Sequence, residues 1–487
     1  MRTTFLGYET GRRALQAQQL ALEVTGHNIA NANAPGYSRQ TIRMEATAPY
    51  AMPTMSKISG AGMVGTGVQV TDIRAVRDFF LDAQVRNETA NIGYWETRQD
   101  LLQEVEVIFS EPQEVGLRSV IDQFWSAWQD VAANPSQEQY RQVLVQKGQE
   151  LADTFRTVFN QLRDLRTNIR RTIDSKLVEA NAIFGQIADL NRQISRVLAV
   201  GDNPNDLMDT RNRLTEQLAR LMDVDAQVDQ NGIMTIVVAG HTAVNGFDHD
   251  TLVPGAEATD TTVDNSLYRP VWQSTGQAFA AERGELGAYI NANTELFNSY
   301  QNKIETLAQT IIAAVNGRHQ QGYNLSSDFA KQYDFFTQVQ GTFAAASIAV
   351  HPDIVADPWR IAAAEAATDA AGNPVPPPPG DGANARKIAD TLSEAPLVGG
   401  SRIDDYFRGI IGELGVATQE SERLAENQNL LLTQVQNQRT SLTGVSTDEE
   451  LINLVKYQQG YNAAARLITT IDEMVDTIIN RMGLVGR

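Results

Sequence analysis

Residues 446–487 read STDEELINLVKYQQGYNAAARLITTIDEMVDTIINRMGLVGR. Counted in sevens, Leu454, Tyr457, Tyr461, Ala464, Ile468, Ile471, Val475, Ile478 and Met482 alternate steps of three and four, while Lys456, Arg466, Asp472, Glu473, Asp476 and Arg481 all miss those positions. That is the pattern of a coiled-coil seam. Its start is written locally: Ser446 with Glu449 and Thr447 with Glu450 form overlapping capping boxes, and Gly444 can close a preceding helix. A helix so apolar along one edge calls for a partner.

The opening of the chain supplies a candidate. Residues 5–33 contain no proline and place Tyr8, Leu15, Leu22 and Ile29 one heptad apart. A second stripe follows Leu6, Ala17 and Val24, bridged to the first by Ala14 and Ala21, while Glu9, Arg12, Arg13 and Glu23 share one sector. A helix lying on a single globular surface typically needs an apolar stripe only about 100° wide or somewhat more. This wider one suits more than one neighbour, so the two ends are expected to pair with each other and then with other subunits. The plainer alternative is a pair of terminal helices closing one domain's bundle.

With 487 residues the chain should hold more than one domain, because single cores stop growing near about 250–300 residues. Forty basic against 59 acidic residues give a net charge of −19, which opposes nucleic acid and anionic membrane as partners. The group Arg156, Arg163, Arg166, Arg170, Arg171 and Lys176 is interleaved with Asp153, Asp164 and Asp174, and reads as a solvated helix face. There is no cysteine, so no thiol or disulfide chemistry is available. No run approaches the roughly 20 apolar residues of a membrane span, and a cleaved secretory signal is not expected.

The first helix runs into the turn signal Pro35-Gly36. The block Asn28–Gln40, NIANANAPGYSRQ, resembles the signature near the start of bacterial flagellar axial proteins, and its PGYSRQ ending resembles the hook-associated protein 1 family. LVKYQQGYNAAAR from Leu454 and IDEMVD from Ile471 resemble the same family's C-terminus, and Leu207–Asp225 resembles a further family stretch. Ala34 stands where that family usually has threonine.

Between the ends, Gly60 to Gly65 satisfies G-x-G-x-x-G, but Gly67-Val68-Gln69-Val70 continues as a strand rather than a helix, so a flexible loop is expected in place of a dinucleotide site. Helical patterns cover 74–109, a segment with Phe124, Trp125 and Trp128 as core, 136–200 as long bundle helices, 205–224, 285–317 and 404–442. Around Val224 the period changes to alternation, with Ile233–Val238 a buried strand between Asn231-Gly232 and Asn245-Gly246 turns. Residues 322–400 hold scattered strand candidates, Pro374, the Pro376–Pro379 run and Gly380-Asp381-Gly382, and are the most linker-like place in the chain.

Chemistry is sparse. Of the five histidines only His241 and His249 come near one another, and their spacing beside Asp248 and Asp250 matches no metal-ligand motif, so an exposed turn is expected. His27 reads as a packing or capping residue, and Glu449-Glu450 as helix capping. No nucleophile elbow, phosphate loop or H-E-x-x-H is present. No cofactor, metal or catalytic residue is expected.

The expected fold is mainly α with inserted β-rich modules: terminal helices forming a coiled coil, a long-helix bundle, and an outward-projecting middle. The expected division is 1–34 with 446–487 as the terminal coiled coil, 35–223 with 285–320 and 401–445 as the bundle, 224–284 as a β-rich module, and 321–400 as an outer insert. The expected function is a structural adaptor assembled through Tyr8, Leu15, Leu22, Ile29, Tyr457, Tyr461, Ile468, Ile471, Val475 and Ile478. The resemblance implies lateral copies of the same chain, hook protein and hook-associated protein 3 as partners, an export chaperone on the C-terminal helix, and type III export to the flagellum. Hook or distal rod protein is the near alternative, and a secreted enzyme or adhesin active in the middle modules the distant one.

Overall fold

The computed structural model describes residues 5–48, 65–109, 116–255, 268–369, 373–391 and 401–481. Residues 60–64 of the glycine motif and Met482 of the seam lie outside them. The chain divides into two compact units, one of residues 1–89, 181–250 and 429–487, the other of 90–180 and 251–428. In order the elements are α1 (Phe5–Ala30), β1 (Gln40–Ala46), β2 (Val68–Ala75), α2 (Phe79–Phe109), α3 (Leu117–Ala133), α4 (Glu138–Ala199), α5 (Asn205–Leu221), β3 (Val224–Val228), β4 (Met234–Val238), β5 (His241–Asn245), β6 (Asp248–His249), β7 (Leu252–Val253) and β8 (Val271–Trp272). Then follow α6 (Gly284–Asn291), a π turn (Ala292–Leu296), α7 (Phe297–His319), β9 (Gly322–Tyr323), β10 (Phe336–Thr337), α8 (Ala344–Ser347), β11 (Ala349–Val350), α9 (Pro352–Ala356), β12 (Ala364–Glu365), α10 (Ala383–Asp390), α11 (Ile403–Thr443) and α12 (Thr447–Asp476), continued by a π turn to Arg481.

The first unit joins the two ends of the chain. It holds α1 and α12, the antiparallel β1–β2 hairpin, α5, and the antiparallel sheet β3-β4-β5-β6. In β4 the alternation places Met234, Ile236 and Val238 inward, as its period-2 pattern predicts. The turn to β5 uses Ala239 (φ 48°) and Gly240 (φ 80°), two left-handed residues whose twist suits a two-residue hairpin. Asn191 of α4 anchors this sheet: its Nδ2 donates to the carbonyls of Met234 and Gly246, and its Oδ1 accepts from the Met234 N–H and from Arg211. Arg211, whose guanidinium burial lowers to a pKa of about 10, also donates to the Gly232 carbonyl.

The second unit is built around aromatic rings. Phe124, Trp125 and Trp128 of α3 are buried as expected, with Trp128 5.2 Å from Phe335 and Phe124 5.4 Å from Phe336 between centroids. That contact corrects the reading of 322–400 as linker-like, because Tyr333, Phe335, Phe336, Ile348, Ile354 and Ile361 are all core residues. Its strands are two residues long and its helical pieces, with a 3-10 turn at Pro358–Arg360 among them, three to eight, too short to show a period. Gly382 lies against α3 so closely that a Cβ there would stand 2.2 Å from the Ala132 carbonyl oxygen. His319 is wholly buried, its Nδ1–H donating to the Tyr333 carbonyl (2.7 Å) and its Nε2 accepting from the Ala362 N–H (2.9 Å).

Three further expectations change. Residues 138–199 form one helix of 62 residues, which contributes to both units in turn, rather than several bundle helices. The 224–284 module divides at Asp250/Thr251: β3–β6 are tied to Asn191, while Tyr268 beyond them bonds Asp174 and Asn293 of the other unit. Arg166 is not on a solvated face; it is buried, with Nε toward Asn293 Oδ1 (3.3 Å) and Nη1 toward Gln301 Oε1 (3.4 Å).

Candidate functional site: the joined chain ends

The seam residues of α12 turn toward α1. The pair is antiparallel: Gly7 meets Ile471, Gly11 meets Ile468, and Gly460 meets Gln18. At Gly7 and Gly11 a Cβ would come within 3.1 and 3.0 Å of the isoleucine side chains, so the missing side chains are what let the helices approach. Ala464 is buried at the centre of this contact, and Leu454, Tyr457, Tyr461, Ile468, Ile471 and Val475 are half-buried along it. Ile478 is 50% exposed.

On α1 the stripes exchange importance. Ala17 and Val24 of the second stripe and the bridging Ala21 are buried, together with Thr25 and Asn28, while Leu15, Leu22 and Ile29 are half-buried and Tyr8 is 43% exposed. Small residues make the intramolecular contact; the larger heptad stripe stays partly open. Outside the seam, Leu451, Ile452, Val455, Leu467, Met474 and Ile479 of the C-terminal segment are exposed, Ile452 by 69%. The sequence count treated these as off-seam positions and gave them no role.

Polar residues fasten the end of α1 to the start of α12. Asn28, 1% exposed, accepts from the Gln40 N–H (2.9 Å) and the Tyr37 hydroxyl (2.8 Å), and donates to the Gln40 carbonyl (2.8 Å) and Glu450 Oε2 (3.2 Å). Glu450, 2% exposed, takes Nε and Nη2 of Arg39 at 2.8 Å, and Arg39 Nη1 reaches Glu449 at 2.9 Å. The expected capping box Thr447/Glu450 is therefore absent; Ser446 does accept from the Glu449 N–H, while the Glu450 carboxylate points inward at the guanidinium. A following layer runs from Ser38 to Asp209, from Asp209 to Arg77 (3.1 Å), from Arg77 to Asp82 (3.1 Å) and from Asp82 to Arg439 (3.6 Å). Burial is the main influence on the Asp209 carboxyl and pushes its pKa up, against the opposing pull of Ser38 and Arg77. His27, expected to pack or to cap, is half-exposed, its ring edge-on to Tyr37 with Nδ1 3.0 Å from the Tyr37 hydroxyl and Nε2 3.8 Å from Asp206.

The arrangement combines interlocking helices, a largely buried ion network and leftover apolar side chains. His241 Nε2 meets Asp250 at 2.8 Å, and among the described residues no group of three or more His, Cys, Asp or Glu is placed to hold a metal ion. Among the described residues no helix is long and apolar enough to cross a membrane.

Residues 102–336 match the family model for the flagellar hook-associated protein FlgK helical domain. Residues 9–37 match that for the flagella basal body rod protein, and 436–482 that for the flagellar basal body rod FlgEFG protein C-terminal region. Flagellar hook-associated protein 1 of Bacillus subtilis (strain 168) is 31% identical, with 100% of each chain covered. That of Escherichia coli (strain K12) is 25% identical over 96% of this chain and 98% of its own. The flagellar hook junction protein FlgK of Burkholderia pseudomallei superposes with a TM-score of 0.62 at 14% identity, covering 74% of this chain and 100% of its own, a likeness of fold. The rod-type matches lie at the two ends and the hook-associated helical-domain match lies between them, and with a 31% identical relative covered along its whole length the chain belongs to the flagellar hook-associated protein 1 family, structural components of the bacterial flagellum at the junction of hook and filament.

Proposed function

We propose that the paired terminal helices are the assembly element of the adaptor, packing side by side with those of neighbouring copies. The observation that carries this is the apolar surface left after α1 and α12 have joined: Tyr8, Leu451, Ile452, Val455, Leu467, Met474, Ile478 and Ile479 are all more than 40% exposed. Single exposed apolar residues are ordinary on a protein surface; so many on one helical hairpin mark a contact site. Tyr457, Tyr461, Ile468, Ile471 and Val475 then act first within the chain, holding α12 to α1, and the half-covered Leu15, Leu22 and Ile29 are completed by a neighbour.

In this reading the two open ends of the assembled tube offer different faces, to hook protein below and to hook-associated protein 3 above. The chain leaves the cell through the flagellar type III apparatus, with a chaperone covering the apolar side of α12 until assembly. Nucleic acid and membrane insertion play no part, and the role is structural rather than enzymatic. Full-length Ile452→Asp and Met474→Asp variants test the central claim. Both should fold and fail to incorporate into junctions of labelled flagella seen by electron microscopy; normal junctions would overturn it.

A further inference from the structure

The seam between α1 and α12 has a weakness built into its pattern. Apolar residues recur every three or four positions from Leu454 onward, so sliding α12 by one heptad, about 10 Å at 1.5 Å per residue, would present a similar stripe to α1. Apolar packing alone does not choose among such registers; a buried polar contact does, because only one register satisfies it. Glu450 lies at the beginning of the seam, with its carboxylate on Arg39 and Asn28. The receiving side is rigidly built. All four hydrogen-bonding positions of the Asn28 amide are used, and the Arg39 backbone donates to the Thr443 carbonyl (3.0 Å) and accepts from the Val76 N–H (2.8 Å).

We infer that residues 28–40 form an intramolecular receptor for Glu450 that sets the register of α12 on α1. In any slipped register the half-buried Arg39 and the buried Asn28 lose their carboxylate partner, and Glu450 loses a hydrogen bond from each together with the second guanidinium contact. The contact also fixes rotation. At about 100° per residue, Ile452 and Val455 lie roughly 200° and 140° around the helix from Glu450, so holding Glu450 inward holds them outward. Glu450 and Arg39 are thus positioning residues for the exposed face of α12.

The chain has no cysteine, which makes register directly measurable. Gln18→Cys with Gly460→Cys pairs positions that touch in the observed register, and Gln18→Cys with Leu467→Cys pairs positions that would meet after a one-heptad slip. Copper-phenanthroline oxidation of the full-length monomer should cross-link 18 with 460 and leave 18 with 467 unlinked. Adding Glu450→Gln, which keeps shape and removes charge, should lower the 18–460 yield at least severalfold and raise an 18–467 product. An unchanged 18–460 yield would overturn the inference; loss of both products would mean that Glu450 holds α12 in place without choosing its register, and would overturn it equally. If circular dichroism shows Glu450→Gln unfolded, Arg39→Lys, which keeps the charge and loses the two-pronged geometry, is read by the same yields. The readout needs no neighbouring copies, so failure of the assembly proposal leaves it intact.

Discussion

Gly11 of α1 lies so near Ile468 of α12 that a Cβ at position 11 would stand 3.0 Å from the isoleucine Cγ1. The two effects of filling that space oppose each other. Alanine improves helix propensity by up to about 1 kcal/mol but forces Ile468 to move, so Gly11→Ala should leave the pairing close to neutral. Gly11→Leu has no room and should cost about 1–3 kcal/mol, read as faster hydrogen exchange in 5–30 and 447–476 with the second unit unchanged. Equal protection in both variants would show that the helices do not depend on this approach.

How much of this was legible in advance follows from the length of the pattern each element carries. The seam of α12, the alternation of β4 and the rings of α3 repeat often enough to be read directly. Glu450 was misread because capping and ion pairing use the same residue at the same place, and only its partner, 411 positions away at Arg39, separates them. The available signal was Arg39 itself, a cation in a turn that otherwise needs none. Phe335 and Phe336 were missed because two-residue strands leave no periodicity. The exposed Ile452 and Met474 were passed over because a seam count looks only at the positions that fit it.

His319 should make the second unit sensitive to acid. Burial lowers its pKa from the ordinary 6.5 to about 4, against the opposing pull of the Tyr333 carbonyl. Between those values the unfolded chain binds a proton that the native one refuses, so stability is full above pH ~6.5 and falls as pH drops toward 4. The loss is on the order of 3 kcal/mol from this group. Chemical denaturation followed by tryptophan fluorescence at several pH values would show the slope, and His319→Gln should flatten it at the cost of lower stability near neutrality.

Asn191→Ala removes four hydrogen bonds at once from the sheet of the first unit. The Met234 amide, the Met234 and Gly246 carbonyls and the Arg211 guanidinium each lose a buried partner. The cost should be roughly 3 kcal/mol, more than a single lost hydrogen bond, because the stranded groups stay away from water. Loss of amide protection in β4 and β5, with α1 and α12 still protected, is the expected exchange pattern.

Ile471→Asp and Ile452→Asp separate the inner and outer contacts of α12. Ile471 fills the space over Gly7, so a carboxylate there is buried against α1 or forces the helices apart, and protection of 5–30 should fall in the monomer. Ile452 faces solvent, and its aspartate is hydrated until a neighbour covers it. Monomer exchange in Ile452→Asp should therefore match the parent chain while incorporation is lost. If the two variants behaved alike in the monomer, the division of α12 into a face for its own chain and a face for other copies would be wrong.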